Sequence, residues 1–403
     1  MINTEELKGK DTELLQLSSC IRCGTCKALC PTYIEDATEG MSARGRVILL
    51  KKYINGELNP SKILDKRIFS CMLCGACNSL CPLGIKITDA VYEGRKNLRK
   101  FNNRKLLSFF IKVAFKKISS AFGLFSTFKN IIETSPVNKL QPFKMLKELD
   151  VKVPDSTLRD SVSISKVPRP RGRIAVFAGC TVNFLYPHVG SSLISSLNKL
   201  NYDVILPKGE VCCGAPLLGL GFEEDAAELA EKNIKMFKGL KVEAVIGLCP
   251  TCIYFIKDEY LRLIGEGIEN AIDASRFFME KMPDISPVTD SGSRIVYHDP
   301  CYSLYHLNVS AEPRHILKSM GFNVIDSENG CCGFGGSFRL LYQELSDSIL
   351  EKRIKEYGKA DMIVTSCPNC IIQFRSKMKD KQIKHIIEVI DKAIKGDKNE
   401  RKR

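Results

Sequence analysis

Three short apolar runs occur twice, in the same order, along the C-terminal half of the chain. IAVFAG (174–179) and RIVYHD (294–299) each stop just short of a cysteine. DVIL (203–206) and NVID (323–326) lead into Cys-Cys-Gly, and AVIG (244–247) and MIVT (362–365) lead into Cys-Pro-x-Cys. Runs of this length and composition predict strands, and the stretches between them read as helices, so each copy is expected to build a parallel α/β sheet. Ahead of the repeat the pattern is helical. Ser42 reads as the N-cap of ARGRVILLKKYI, which Asn55-Gly56 and Pro60 close, and Asp65 to Phe69 leads into a further loop. From Arg95 to Lys129 ten Lys or Arg and no acid are interleaved with Leu106, Leu107, Phe109, Phe110, Phe115, Phe122 and Phe125. That segment predicts basic helices packed between domains with their cations in solvent, and the rival reading is attachment to an anionic membrane surface. Residues 133–172 carry Pro136, Pro142, Pro154, Pro168 and Pro170 without periodicity and read as a polar linker.

The chemistry sits at the ends of the apolar runs. Cys331-Cys332-Gly333-Phe334-Gly335-Gly336 pairs two adjacent cysteines with a glycine-rich turn. Neighbouring Cα atoms are about 3.8 Å apart, too close for a relaxed disulfide, so metal ligation is the better use of the pair. Cys301 precedes this pair by 30 residues and Cys367 follows it by 35; in the first copy the intervals are 32 from Cys180 to Cys212 and 36 from Cys213 to Cys249. Each copy therefore offers five thiols: Cys180, Cys212, Cys213, Cys249 and Cys252, then Cys301, Cys331, Cys332, Cys367 and Cys370. The unit is an internal duplication of roughly 120 residues. All ten lie just beyond predicted strand ends, where open α/β sheets hold ligands. His188, His298, Asp299 and His306 lie near them and read as hydrogen-bonding groups, because thiolates already supply the donors.

Upstream, Cys20, Cys23, Cys26 and Cys30 before Pro31, and Cys71, Cys74, Cys77 and Cys81 before Pro82, both follow CxxCxxCxxxCP. This is the run of bacterial two-cluster ferredoxins, in which the fourth thiolate crosses to the other cluster. The expected sets are Cys20, Cys23, Cys26 and Cys81 for one [4Fe-4S] cube, and Cys30, Cys71, Cys74 and Cys77 for the other. Structural zinc would call for two separated CxxC pairs instead. Arg44 and Arg46 follow the first run in the first turn of a helix and read as a solvated face.

Composition narrows the remaining classes. Eighteen cysteines in 403 residues exceed any packing need, and an N-terminus without an apolar core suggests a reducing, cytoplasmic setting in which clustered thiols bind metal. The net charge of +14 raises nucleic acid as a partner, but no recognition motif accompanies it. No apolar run approaches the roughly 20 residues of a membrane span, which leaves a peripheral place at the inner face of the membrane as the nearest approach.

With these motifs, residues 15–390 resemble the iron–sulfur subunits that join two ferredoxin-type clusters to two CCG domains. These include the glycolate oxidase iron–sulfur subunit, lactate-utilisation proteins, the anaerobic glycerol-3-phosphate dehydrogenase small subunit and the D chain of heterodisulfide reductase. MSARGRVILLKKYINGEL is similar to the glycolate oxidase group and CCGFGGSF to the lactate-utilisation proteins, while two complete CPxC motifs match heterodisulfide reductase. Tyr302 stands where many relatives have a histidine. The resemblance implies an α+β fold: a mostly helical two-[4Fe-4S] ferredoxin-like domain (1–132), the linker (133–172), a first CCG domain (173–287), a second (288–395) and a basic tail (396–403). It implies an oxidoreductase with two cubane clusters and one or two noncubane [4Fe-4S] clusters held by the ten CCG cysteines, which would be the catalytic residues. It further implies a hetero-oligomer with an FAD-containing dehydrogenase or oxidase subunit acting on a 2-hydroxy acid, and an acceptor such as quinone. Disulfide reduction at the noncubane clusters is the alternative activity.

Overall fold

The computed structural model describes residues 16–101, 105–123, 148, 149, 151–282, 292–328 and 330–400. In the first copy, β1 (Ile164–Ser165), β2 (Gly172–Phe177), β3 (Tyr202–Ile205), β4 (Ala244–Gly247) and β5 (Ala271–Asp273) form a sheet in the order β1-β3-β2-β4-β5. All pairings are parallel except that of the edge strand β1. In the second copy, β6 (Arg294–His298), β7 (Asn323–Ile325), β8 (Met362–Thr365) and β9 (Gln382–His385) lie in the order β7-β6-β8-β9, all parallel. The central strands β4 and β8 are buried along their whole length, as expected for a sheet covered on both faces.

Two features depart from the sequence reading. Residues 151–172 do not form a free linker: Ile164 and Ser165 pair with Ile205 and Val204, and Leu158, in a turn capped by Thr157, is fully buried. A two-residue edge strand has no period to read. The fourth strands β5 and β9, of three and four residues, went unpredicted for the same reason.

The N-terminal part is helical. Ser42 Oγ accepts from Gly45 N (2.8 Å) to start α1 (Ala43–Ile54), and Ser61 caps α2 (Lys62–Phe69) in the same way. With α3 (Ile87–Leu98), these helices share a core with the first copy, in which Leu50, Ile68 and Val91 join Leu217, Leu229 and Phe255. The basic helix α4 (Lys105–Lys116) packs on α5 (Glu223–Lys238), where Lys112 and Lys116 pair with Asp225 at 2.7 and 2.9 Å. Those cations are ion-paired between the domains and not left in solvent, while Phe109 and Phe110 face outward. Phe125 and Lys129 lie outside the described residues. The second copy ends in α6 (Ile386–Glu400), so the backbone is helical through most of the expected tail. Among the described residues no helix is long and apolar enough to cross a membrane.

Asp273 closes β5 and caps the following helix by accepting from Ser275 N at 2.8 Å. It is 4% exposed, and burial raises its carboxyl to about 6. A raised carboxyl favours folding at low pH, and that contribution is lost as pH climbs from about 4 through 6. Asp273→Asn keeps the cap and removes the buried charge. It is expected to stabilise the fold by about 2 to 3 kcal/mol at pH 8 and about half as much at pH 5, measured as urea midpoints.

Candidate metal centres

The two N-terminal cysteine runs fold alike. Arg22 and Leu73 (φ 58° and 56°) and Gly24 and Gly75 (φ 88° and 81°) are left-handed at matching places, which turns the loop back so that its thiols converge. Cys20, Cys23, Cys26 and Cys81 line one cavity, with Arg44 and Val47 at its side. Burial, then the neighbouring Cys20, Cys23 and Cys30, push the Cys26 thiol up to about 11. Cys74 and Cys77 are buried, with the thiols of Cys71 and Cys30 close enough to act on them electrostatically. The last cysteine of each run thus lies with the first three of the other, and Cys26 and Cys30 make the two groups adjacent.

Both five-thiol sets also come together. In the first copy the contacts run Cys180–Cys212–Cys213–Cys252–Cys249, and in the second Cys301–Cys331–Cys332–Cys370–Cys367, with Cys332 and Cys370 Sγ at 3.3 Å. The glycine after each pair is left-handed, Gly214 at φ 90° and Gly333 at 88°. A Cβ on Gly333 would lie 2.5 Å from Ser346 O, so backbone packing here excludes a side chain. All eighteen cysteines are free. Hydrogen bonding to the neighbouring cysteine, followed by burial, pushes the Cys180 and Cys301 thiols well up. Buried thiolates at this density need a cation among them.

Three contacts join the second N-terminal group and the two copies. The Cys74 thiol lies close enough to Cys331 and Cys301 to interact with both electrostatically, which puts the second N-terminal group beside the second copy. Gly75 sits so close to His306 that an added Cβ would be 2.1 Å from Nε2. Cys249 and Cys367 are hydrogen-bond partners across the two copies, beside Asn369, which accepts from Thr181 Oγ1 at 2.9 Å. Only the cysteines were legible in the sequence, because their partners come from sites more than 100 residues away.

The residues flanking the thiols divide. Asp299 is hydrogen-bonded to Arg314 as expected, whereas His188 is half-exposed with Nε2 3.8 Å from Glu388, too far for a hydrogen bond. His298 differs: Nδ1 meets Tyr357 OH at 2.9 Å, but buried Nε2 has no partner, and one ring nitrogen lies within 4.8 Å of Cys332 and Cys370 Sγ. Burial lowers its pKa to about 4, so the imidazole is neutral. Phe177 holds the matching position in the first copy, which makes the two sites unequal. His306 stacks on Tyr302 at 4.7 Å, and Tyr302 OH lies 3.4 Å from Tyr92 OH. Arg44 is ion-paired with Glu39 (2.7 Å) near the surface. Arg46, read from sequence as solvated, is instead 1% exposed; Arg95, which the sequence placed at the head of the basic segment, is 3% exposed. Both long side chains turn inward from α1 and α3, a direction that charge pattern alone does not reveal.

This donor set, thiols in four contiguous groups with an orphaned imidazole and two buried guanidiniums alongside, fits anionic metal–sulfur clusters, and it defines an iron–sulfur protein with paired cysteine-rich domains. Residues 174–257 and 295–375 match the cysteine-rich domain family (CCG), and residues 16–85 match the 4Fe-4S dicluster domain family. The chain is thus an iron–sulfur oxidoreductase that carries a 4Fe-4S dicluster domain followed by two cysteine-rich (CCG) domains. It is similar to the probable glycolate oxidase iron–sulfur subunit of Bacillus subtilis (strain 168), 28% identical over 89% of this chain and 88% of that one. It is also similar to the D chain of the dihydromethanophenazine:CoB–CoM heterodisulfide reductase of Methanosarcina acetivorans, 25% identical over 98% and 97% of the two chains. A third relative, the EtfAB:quinone oxidoreductase of Syntrophomonas wolfei, is 26% identical over 97% of this chain and 59% of that protein.

Proposed function

We propose that the chain is the electron-carrying subunit of a multi-subunit oxidoreductase, drawing electrons from a flavoprotein that oxidises a 2-hydroxy acid and delivering them to an acceptor such as quinone. The observation that carries this is the unbroken series of thiol groups, from the surface to the interior, linked at Cys26–Cys30, Cys74–Cys331 and Cys249–Cys367. In this reading Cys20, Cys23, Cys26 and Cys81 hold one cubane cluster of a ferredoxin-like domain and Cys30, Cys71, Cys74 and Cys77 the other. The two five-cysteine sets hold noncubane clusters. Clusters of this kind supply reversible single-electron transfer. The chain's own residues fix their spacing and keep water out of the interior sites. The first group is the natural point of exchange: Cys23 is exposed, and Ile21 and Leu83 beside it are 68% and 48% exposed, an apolar rim suited to a partner subunit. The similarity to the glycolate oxidase subunit supports the 2-hydroxy acid partner.

The chain has no Gly-rich dinucleotide fingerprint, so the hydride chemistry belongs to the partner. The purified chain, given glycolate or lactate and a redox dye, is expected to leave the dye oxidised. After anaerobic purification it is expected to contain about sixteen iron atoms and as many acid-labile sulfides, four per cluster. Dye reduction by the lone chain would overturn the division of labour, and about eight iron atoms would remove the noncubane sites.

One observation favours disulfide reduction as a second reading. The two CPxC motifs are complete and meet at Cys249 and Cys367, so a disulfide lying between the copies would have a metal site on either side. Release of thiol from a heterodisulfide by the reduced chain would move the assignment to this reading.

A further inference from the structure

We infer that Arg46 and Arg95 are positioning residues that raise the reduction potential of the second N-terminal cluster, held by Cys30, Cys71, Cys74 and Cys77, above that of the first. The inference rests on the two-cluster reading of the ferredoxin-like domain. Arg46 donates from Nε to Arg67 O (2.9 Å), from Nη2 to Thr32 Oγ1 (3.0 Å) and Ser70 Oγ (3.2 Å), and points Nη1 at Cys30 Sγ, 3.8 Å away. Arg95 donates from Nη1 to Gly219 O (2.6 Å), from Nη2 to Phe69 O (3.1 Å) and Cys71 O, and from Nε to Ile68 O (3.3 Å). Every acceptor but the Cys30 sulfur is a neutral oxygen. Among the described residues neither guanidinium has a carboxylate within ion-pair distance.

A guanidinium removed from water without a counter-charge is strongly unfavourable, even with its hydrogen bonds made. One of them aimed at the Cys30 sulfur and the other bonded to the backbone carbonyl of Cys71, both in one ligand set, are explained if that set carries net negative charge through its bound cluster. The same two charges then favour the reduced, more negative state of that cluster. The first group lacks this arrangement. Of the two arginines that line its cavity, Arg22 is exposed and Arg44 is ion-paired with Glu39 near the surface, so solvent screens both. One electron placed on the first cluster would therefore move to the second, with no bond made or broken. There it lies beside Cys331 and Cys301 of the second copy.

The test is an anaerobic, EPR-monitored redox titration of the cluster-replete full chain, poised with dithionite, in wild type, Arg46→Gln, Arg95→Gln, Arg95→Lys and Arg44→Gln. The expected result is a lower midpoint for the same single N-terminal signal in Arg46→Gln and Arg95→Gln, an unmoved midpoint in Arg44→Gln, and retention in Arg95→Lys. Unchanged midpoints in iron-replete Gln variants would overturn the inference, as would Arg95→Lys behaving like Arg95→Gln. Should a Gln variant purify short by about four irons, Arg95→Lys decides: full loading supports charge compensation, and equal loss overturns it in favour of packing. Wild-type protein lacking two N-terminal cluster signals would instead overturn the two-cluster reading, before any variant is compared.

Discussion

Cys332→Ser is expected to strip the second cysteine-rich site and lower the iron content from about sixteen to about twelve per chain, with the two N-terminal EPR signals unmoved. Cys332 sits in the middle of its set, against Cys331 on one side and 3.3 Å from Cys370 Sγ on the other. It also completes the group with His298. A serine oxygen is a poor iron ligand, and the site is too buried for water to substitute freely; Cys332 is 5% exposed. Transfer of electrons from dithionite through the chain to an acceptor bound at the C-terminal half should fall with the iron. Cys367→Ser should do something different. Its thiol belongs to the second set but contacts Cys249 of the first, so spectroscopic features of both sites are expected to change. Equal and confined effects of the two substitutions would mean that the copies do not communicate through that contact.

The contrast shows what was legible in the sequence. All eighteen thiols, their division into four groups and the parallel sheets under ten of them could be read from spacing and from strand-length apolar runs. Local structure supplied these, since a CxxC turn or a Cys-Cys-Gly corner is fixed by residues a few positions apart. The joints between groups could not be read, because Cys249 meets Cys367 and Gly75 meets His306 across more than a hundred residues of chain. Charge misled for a related reason. Arg46 and Arg95 lie in basic stretches that normally face solvent, and only the surrounding helices show that their side chains run inward to carbonyl oxygens and a cysteine sulfur. His298 was expected to be satisfied by hydrogen bonds; Nδ1 is, while buried Nε2 has no partner, and the ring lies beside Cys332 and Cys370.

Gly75→Ala is expected to uncouple the N-terminal dicluster part from the second cysteine-rich copy, and Gly24→Ala to serve as its internal control. Both glycines occupy the same place in their cysteine runs, at φ 81° and 88°, so each alanine bears the same left-handed backbone cost of about 1 to 2 kcal/mol. Their surroundings differ. At Gly24 the nearest atom is Nη1 of the partly exposed Arg44, 3.0 Å from the added Cβ, and that side chain can swing away. At Gly75 the added Cβ would be 2.1 Å from Nε2 of His306, whose ring is packed against Tyr254 at 4.3 Å and Tyr302 at 4.7 Å and cannot retreat. The cysteine loop must therefore move away from the second copy, carrying Cys74 away from Cys301 and Cys331. Gly75→Ala should retain full iron yet slow the re-oxidation of its N-terminal clusters by the C-terminal sites, measured by stopped-flow absorbance after rapid reduction. Gly24→Ala should lose a similar amount of stability without that slowing. Adding His306→Ala to Gly75→Ala removes the obstructing ring and should restore the rate while the backbone cost persists. If the double variant stays slow, the steric contact is not what sets the approach of the two parts, and left-handed strain in the loop itself is the cause.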